Sequence, residues 1–116
     1  MIGGNLSYAA GEADVPLLDE TIGANLARTV AANPDGEAMV EVASGRRWTW
    51  RQFDGDVSAL ARGLMAAGLK KGDRLGIWAP NCAEWTLTQY ASARIGLVLV
   101  TLNPAYRTHE LTYALN

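Results

Sequence analysis

The sequence predicts an α/β domain, on three observations. Two near-continuous apolar runs, "RLGIWA" and "LVLVTL", have the composition of strands buried on both faces of a sheet. A helical stretch lies between them, so strand, helix and strand form a parallel βαβ unit. Upstream, two short alternating runs flank a Ser-Gly turn and predict an antiparallel hairpin.

Residues 1–20 are aperiodic, carry Gly, Ala and Asp, and close at Pro16, which predicts a flexible lead-in. Thr21 offers an N-cap, and Ile22, Leu26 and Val30 recur at helical spacing up to Asn33 and Pro34. In "EAMVEVA", alternation puts Ala38, Val40 and Val42 on one face; Ser44 and Gly45 turn the chain, and "RRWTW" puts Trp48 and Trp50 on a shared face. Thr49 and Gln52 have capping-box spacing. Phe53, Val57, Leu60, Ala61 and Leu64 follow as a helical stripe, and Gly68 before Leu69 fits a left-handed C′ residue. The βαβ unit comprises a strand over residues 74–79, a helix over 81–95 started by Asn81 and Glu84 and stopped by Gly96, and a strand over 97–102. Thr108 is expected to cap a last helix, with Glu110 at its positive end and Leu111, Ala114 and Leu115 on one side. Asn116 follows after barely two turns, a pattern cut off in mid-element.

At 116 residues the chain has length for one modest core at most. Its 49% hydrophobic and 19% charged residues place it outside the disordered regime. A net charge of -2 argues against a nucleic-acid or anionic-membrane partner. One cysteine and one histidine make neither an internal disulfide nor a zinc site. With no signal-peptide pattern at the start and no apolar run of the ~20 residues needed to span a bilayer, a cytoplasmic setting is expected.

Cys82 stands where a helix dipole would favour the thiolate, but a nucleophile also needs a base, and the sole histidine, His109, lies on another element. Cys82 is therefore read as a small hydrophobe, His109 as solvent-exposed, all four tryptophans as core, and "KKGD" as a turn. Neither G-x-G-x-x-G nor G-x-x-x-x-G-K-[ST] occurs, and no catalytic constellation can be built from the spacings. One positional rule remains: ligands of open parallel sheets gather at the carboxyl ends of the strands. Those ends are Pro80 with Asn81 and Asn103 with Pro104, with Tyr106 and Arg107 just beyond.

The stretch "GLKKGDRLGIWAPNCAEWTLTQYASARIGLVLVTLNPAYRTHELTYAL", supported upstream by "PLLDETIGANL" and "RRWTWRQFDGDVSALARGL", resembles the amino-terminal region of AMP-forming acyl-CoA synthetases, nearest to fatty-acid–CoA ligases. The resemblance runs from about Tyr8 to the end. It implies that residues 21–116 are an incomplete subdomain of the large layered α/β domain of adenylate-forming enzymes. It also implies an activity for the complete enzyme: ATP adenylates a carboxylic acid, and coenzyme A then displaces AMP. ATP, coenzyme A and Mg2+ are the implied cofactors, a fatty acid or other carboxylic acid the substrate. The family's phosphate loop, ribose-binding acid and catalytic lysine lie in motifs this sequence does not contain, so no catalytic residue carries over, and the chain alone is expected to be inactive and to bind none of these cofactors tightly. Asn103 and Pro104, in "LNPAYRTHEL", carry over only as residues on the side where coenzyme A approaches. The alternatives from the residues themselves are a stand-alone small α/β binding domain and a Cys82-dependent enzyme.

Overall fold

The computed structural model describes residues 7–116. Residues 1–6 of the expected lead-in lie outside the described residues. Residues 7–20 form no helix or strand, and Tyr8, Val15, Leu17 and Leu18 are 71–96% exposed.

Helix α1 (Ile22–Ala32) starts where Thr21 Oγ1 accepts the Ala24 N–H at 3.1 Å, as the sequence predicts. Leu26 is buried and Val30 packs beside it, while Ile22 stays 56% exposed. Strands β1 (Glu37–Glu41) and β2 (Arg46–Thr49) form the predicted antiparallel hairpin, turned at Gly45 with φ +72°. Glu37 faces Thr49 but Met39 faces Trp48, so Ala38 is a bulge residue. The bulge shifts the phase of the strand. Ala38 and Met39 both pack against the core, and Val42 lies beyond the strand, 89% exposed. The expectation that Ala38, Val40 and Val42 share one face is therefore corrected.

Thr49 begins helix α2 (Trp50–Ala66), so Trp50 is helical rather than the end of the hairpin. The capping box is complete: the Gln52 N–H donates to Thr49 Oγ1 at 3.2 Å, and the Thr49 N–H donates to Gln52 Oε1 at 2.9 Å. The N–H groups of Trp50 and Arg51 donate to the carbonyls of Gly36 and Pro34, so the first turn leaves no donor orphaned. The predicted stripe is the core: Phe53, Val57 and Ala61 are buried with Leu26 and Ala91, and Trp48, Trp50 and Tyr90 close around them. Phe53 meets Trp50 and Tyr90 edge-to-face, with ring centroids 6.2 and 5.4 Å away. Gly68, at φ +97°, ends the helix, with the Leu69 N–H on the Leu64 carbonyl and the Gly68 N–H on that of Met65.

Strands β3 (Arg74–Trp78) and β4 (Val98–Leu102) pair in parallel, Arg74 opposite Val98 through to Trp78 opposite Leu102. Helix α3 (Ala83–Arg94) connects them and stops at Gly96 with the same pair of hydrogen bonds as α2. Two corrections fall here. The α3 cap is Cys82, not Asn81, and no side chain of its own segment caps it. The strands are also not buried on both sides within this chain: Trp78 is 49% and Val98 50% exposed, which takes Trp78 out of the expected core.

Helix α4 (Thr108–Leu115) is capped at Arg107, whose N–H donates to Glu110 Oε2 at 3.2 Å; Thr108, expected as the cap, is its first helical residue. It buries none of its residues, and Tyr113 and Leu115 are 86% and 65% exposed.

Two expected outcomes follow from this packing. Phe53→Ala removes a ring that is 3% exposed at the centre of the core and costs about 3–5 kcal/mol, enough to unfold a domain of this size. Hydrogen exchange should show the α2 amides losing protection, whereas Ile22→Ala leaves them as they are. The uncharged strand β4 and the exposed faces of Trp78 and Val98 should make the 116-residue chain bind hydrophobic dyes and self-associate. A chain that remains monomeric at high concentration and binds no dye would overturn this second expectation.

Candidate functional site

The carboxyl ends of β3 and β4 bring Trp78, Pro80, Asn103 and Pro104 to one edge of the sheet, with Tyr106 and Arg107 on the segment that leads into α4. Asn103 does most to shape this edge. Its side-chain oxygen accepts the Ala105 N–H at 2.9 Å, and its carbonyl accepts the Tyr106 N–H at 3.0 Å. Both oxygens thus serve the turn, and the side-chain NH2 is the group left to meet a ligand. Pro104 has no N–H, so its contribution is a fixed φ and an exposed apolar ring.

Beside this edge a cavity of about 300 Å³ lies between the hairpin and the start of α3, lined by Met39, Glu41, Asn81, Cys82 and Thr86. Glu41 closes it. Its Oε1 accepts the N–H of Ala83, the first residue of α3, at 2.9 Å. Ser44 also donates to this carboxylate, and Arg46 donates to both of its oxygens at 3.0 Å. Arg46 reaches on to Glu84 at 2.8 Å and lies over the Trp48 ring, 5.2 Å from its centroid. The hydrogen bonds from Ser44, from the Ala83 amide and from Arg46 hold the Glu41 carboxyl down at about 2. Arg46 likewise lowers Glu84. This network was not legible in the sequence, because its longest bond joins residues 42 positions apart.

Cys82 is half-buried in that cavity, while His109 is exposed on α4 and lines a separate space of about 340 Å³ with Tyr106 and Tyr113. The structure does not assemble them as a thiol and its base. A larger cleft, about 710 Å³, lies at the other end of the sheet, lined by Thr21, Lys71, Arg94 and Gly96. Its charges are partly spent on structure: Arg94 bonds Asp54 and Ser58, both at 2.6 Å, and so ties α3 to α2. The carboxyl edge, where the general rule for parallel sheets puts ligands, is the better candidate. Among the described residues no three His, Cys, Asp or Glu side chains gather as a metal site, and no helix is long and apolar enough to cross a membrane.

A capped hairpin-and-helix core beside a parallel βαβ pair is the arrangement found in the amino-terminal domains of adenylate-forming enzymes. A fatty acyl-CoA synthetase of Mycobacterium tuberculosis superposes with TM-score 0.78 at 30% identity, over 82% of this chain and 19% of that one. The separately solved N-terminal domain of FACL13 from the same organism superposes with TM-score 0.79 at 30% identity, over 83% of this chain and 24% of that one. In sequence, the mitochondrial medium-chain acyl-CoA ligase ACSF2 of Danio rerio is 50% identical over 109 residues, 94% of this chain. The Mus musculus ligase of the same description is 44% identical over 112 residues, 97% of this chain. The chain spans 18% of the length of each of these two relatives. The profile of the AMP-binding enzyme family matches residues 26–116, and the chain belongs to that family.

The Glu41 contacts make a pH prediction. A carboxyl whose folded pKa lies below its unfolded value of about 4.5 adds stability above pH 4.5, and this contribution is lost as pH falls through about 2. Carboxyl NMR should place the Glu41 midpoint far below 4.5, and Glu41→Gln should flatten the dependence of stability on pH across that window. A midpoint at the ordinary glutamate value would show that the hydrogen bonds to Glu41 from Ser44, Ala83 and Arg46 do not persist in solution.

Proposed function

We propose that this chain is the amino-terminal part of an ATP-dependent, AMP-forming fatty acyl-CoA ligase. In that reaction the carboxylate attacks the α-phosphorus of ATP, giving an acyl adenylate and pyrophosphate. The coenzyme A thiol then attacks the acyl carbon, giving the thioester and AMP. The observation that carries the reading is the match to acyl-CoA ligases across nearly the whole chain, at 50% identity to the Danio rerio relative, while the chain spans 18% of that relative's length. Mg2+, as counter-ion to the ATP phosphates, belongs to the same reading, and so does a fatty acid as the carboxylic acid. Residues 21–116 are then the scaffold of a first subdomain, and the chain by itself is inactive, because the residues that would hold ATP and coenzyme A in register lie elsewhere.

Within this scaffold, Asn103 and Pro104 are assigned to the side that coenzyme A approaches. Their position at the carboxyl edge of a parallel sheet supports this, as does the Asn103 NH2, which faces solvent as a hydrogen-bond donor.

The test is a chimera in which residues 1–116 replace the matching segment of the Danio rerio ligase. Thioester formation from a medium-chain fatty acid, ATP and coenzyme A should survive the exchange, and the 116-residue chain alone should form none. A folded chimera without thioester formation, or turnover by the isolated chain, would falsify the reading.

A further inference from the structure

Trp78 is the last residue of β3, and its ring is 49% exposed at the carboxyl edge of the sheet. Water could satisfy an indole N–H in such a place. Instead, Nε1 donates to the carbonyl of Asn103 at 3.1 Å, across the end of the neighbouring strand. That carbonyl also accepts the Tyr106 N–H at 3.0 Å, and Asn103 Oδ1 accepts the Ala105 N–H at 2.9 Å. Further on, the Arg107 N–H donates to Glu110 Oε2 at 3.2 Å. The last three bonds are local: two shape the turn and the third caps α4, so beyond the chain's own link to Leu102 at the end of β4 they do not fix where the segment sits. The bond from Trp78 reaches in from β3 and ties the segment to the sheet. Tryptophan suits such a tie because its ring is rigid about two torsions and its nitrogen is a donor only, which gives the bond a fixed direction.

We propose that Trp78 is a positioning residue, whose indole N–H holds residues 103–107 in place at the ligand-facing edge through the Asn103 carbonyl. The inference rests on the reading that puts Asn103 and Pro104 on the coenzyme A side, and it adds the residue that sets their position. It assigns Trp78 no contact with the reacting atoms. Its effect should therefore fall on the capture of coenzyme A and spare the adenylation half-reaction.

Trp78→Phe keeps an aromatic ring and removes the donor. In the 116-residue chain, amide exchange at Ala105 and Tyr106 should quicken about threefold to tenfold, the size of one neutral hydrogen bond, with the α2 amides unchanged. In the Danio rerio chimera, the KM for coenzyme A should rise by about the same factor. The fatty-acid-dependent exchange of pyrophosphate into ATP, which stops before coenzyme A enters, should keep its rate. Unchanged amide exchange at 105 and 106, or an equal loss in both half-reactions, overturns the proposal. A parent chimera that is itself inactive counts against the acyl-CoA ligase reading, and the amide exchange in the 116-residue chain then still decides the role of Trp78.

Discussion

A helix that begins inside a protein must find partners for its first backbone N–H groups, and here that requirement sets how the parts are joined. Helix α2 meets it locally, with Thr49 and Gln52 exchanging bonds and the carbonyls of Gly36 and Pro34 taking the first two donors. Helix α3 has no such residue at its start, and its first N–H is taken by Glu41, at the end of β1. The bond makes the hairpin part of the βαβ unit. A carboxylate at a helix N-terminus is favoured by the dipole as well as by the hydrogen bond. Arg46 and Ser44 keep Glu41 charged and aimed. The hairpin thus does more than cover the core, because it fixes where α3 starts and so shapes the turn that leaves the carboxyl end of β3.

The other end of α3 is held differently. Arg94, half-buried in the last turn, reaches back to the carboxylate of Asp54 and the hydroxyl of Ser58 on α2. Gly96, at φ +76°, then redirects the chain, and a side chain there would collide with the stem of Lys71, since an added Cβ would stand 2.8 Å from its Cγ. Between these ties α3 puts Ala91 into the core and packs Leu87 and Tyr90 against it, so apolar packing along its inner face and polar contacts at both ends orient it together. With α3 fixed, the parallel register of β3 on β4 follows. Parallel pairs are ordinarily covered on both faces, and Trp78 and Val98, each about half exposed, mark where this chain does not supply the cover. That incomplete cover accords with a chain that spans 18% of its relatives' length.

What the sequence revealed was whatever neighbouring residues decide among themselves. The Thr49 and Gln52 box, the left-handed glycines at 68 and 96 and the stripe from Phe53 to Leu64 need no knowledge of the rest of the chain, and all of them stand in the structure. The misreadings have a common cause. Asn81 looked like a cap because nothing nearby revealed Glu41 as a competitor from another element. Ala38, Val40 and Val42 read as one face because one extra residue at Ala38 inverts a period of two without changing composition. At α4 the cap lies one position before the expected Thr108, because Glu110 reaches back to the Arg107 amide whatever side chain that residue carries. The family was legible because it lies in the order of many residues, and the family match covers residues 26–116.

The candidate edge belongs to the part that could be located but not resolved from sequence. A strand followed by "NP" predicts a turn at the carboxyl end, where ligands of parallel sheets gather, and that much follows from the topology. The indole N–H that reaches this turn comes from a residue 25 positions earlier, and no pattern of hydrophobicity shows which carbonyl or carboxylate an indole will find: Trp48 packs against the core and donates to Asp56 as well. Composition favours the core for such a residue, and for Trp48 and Trp50 that inference is correct. Trp78 departs from it for a physical reason. At the end of a strand with one face uncovered, the residue stays about half exposed, and its N–H finds a fixed carbonyl partner in Asn103. The same argument explains why Asn103 stands where it does. Its two oxygens answer three backbone and indole donors, and an aliphatic residue there would lose the side-chain bond to the Ala105 amide and with it part of the turn that presents Pro104, Tyr106 and Arg107.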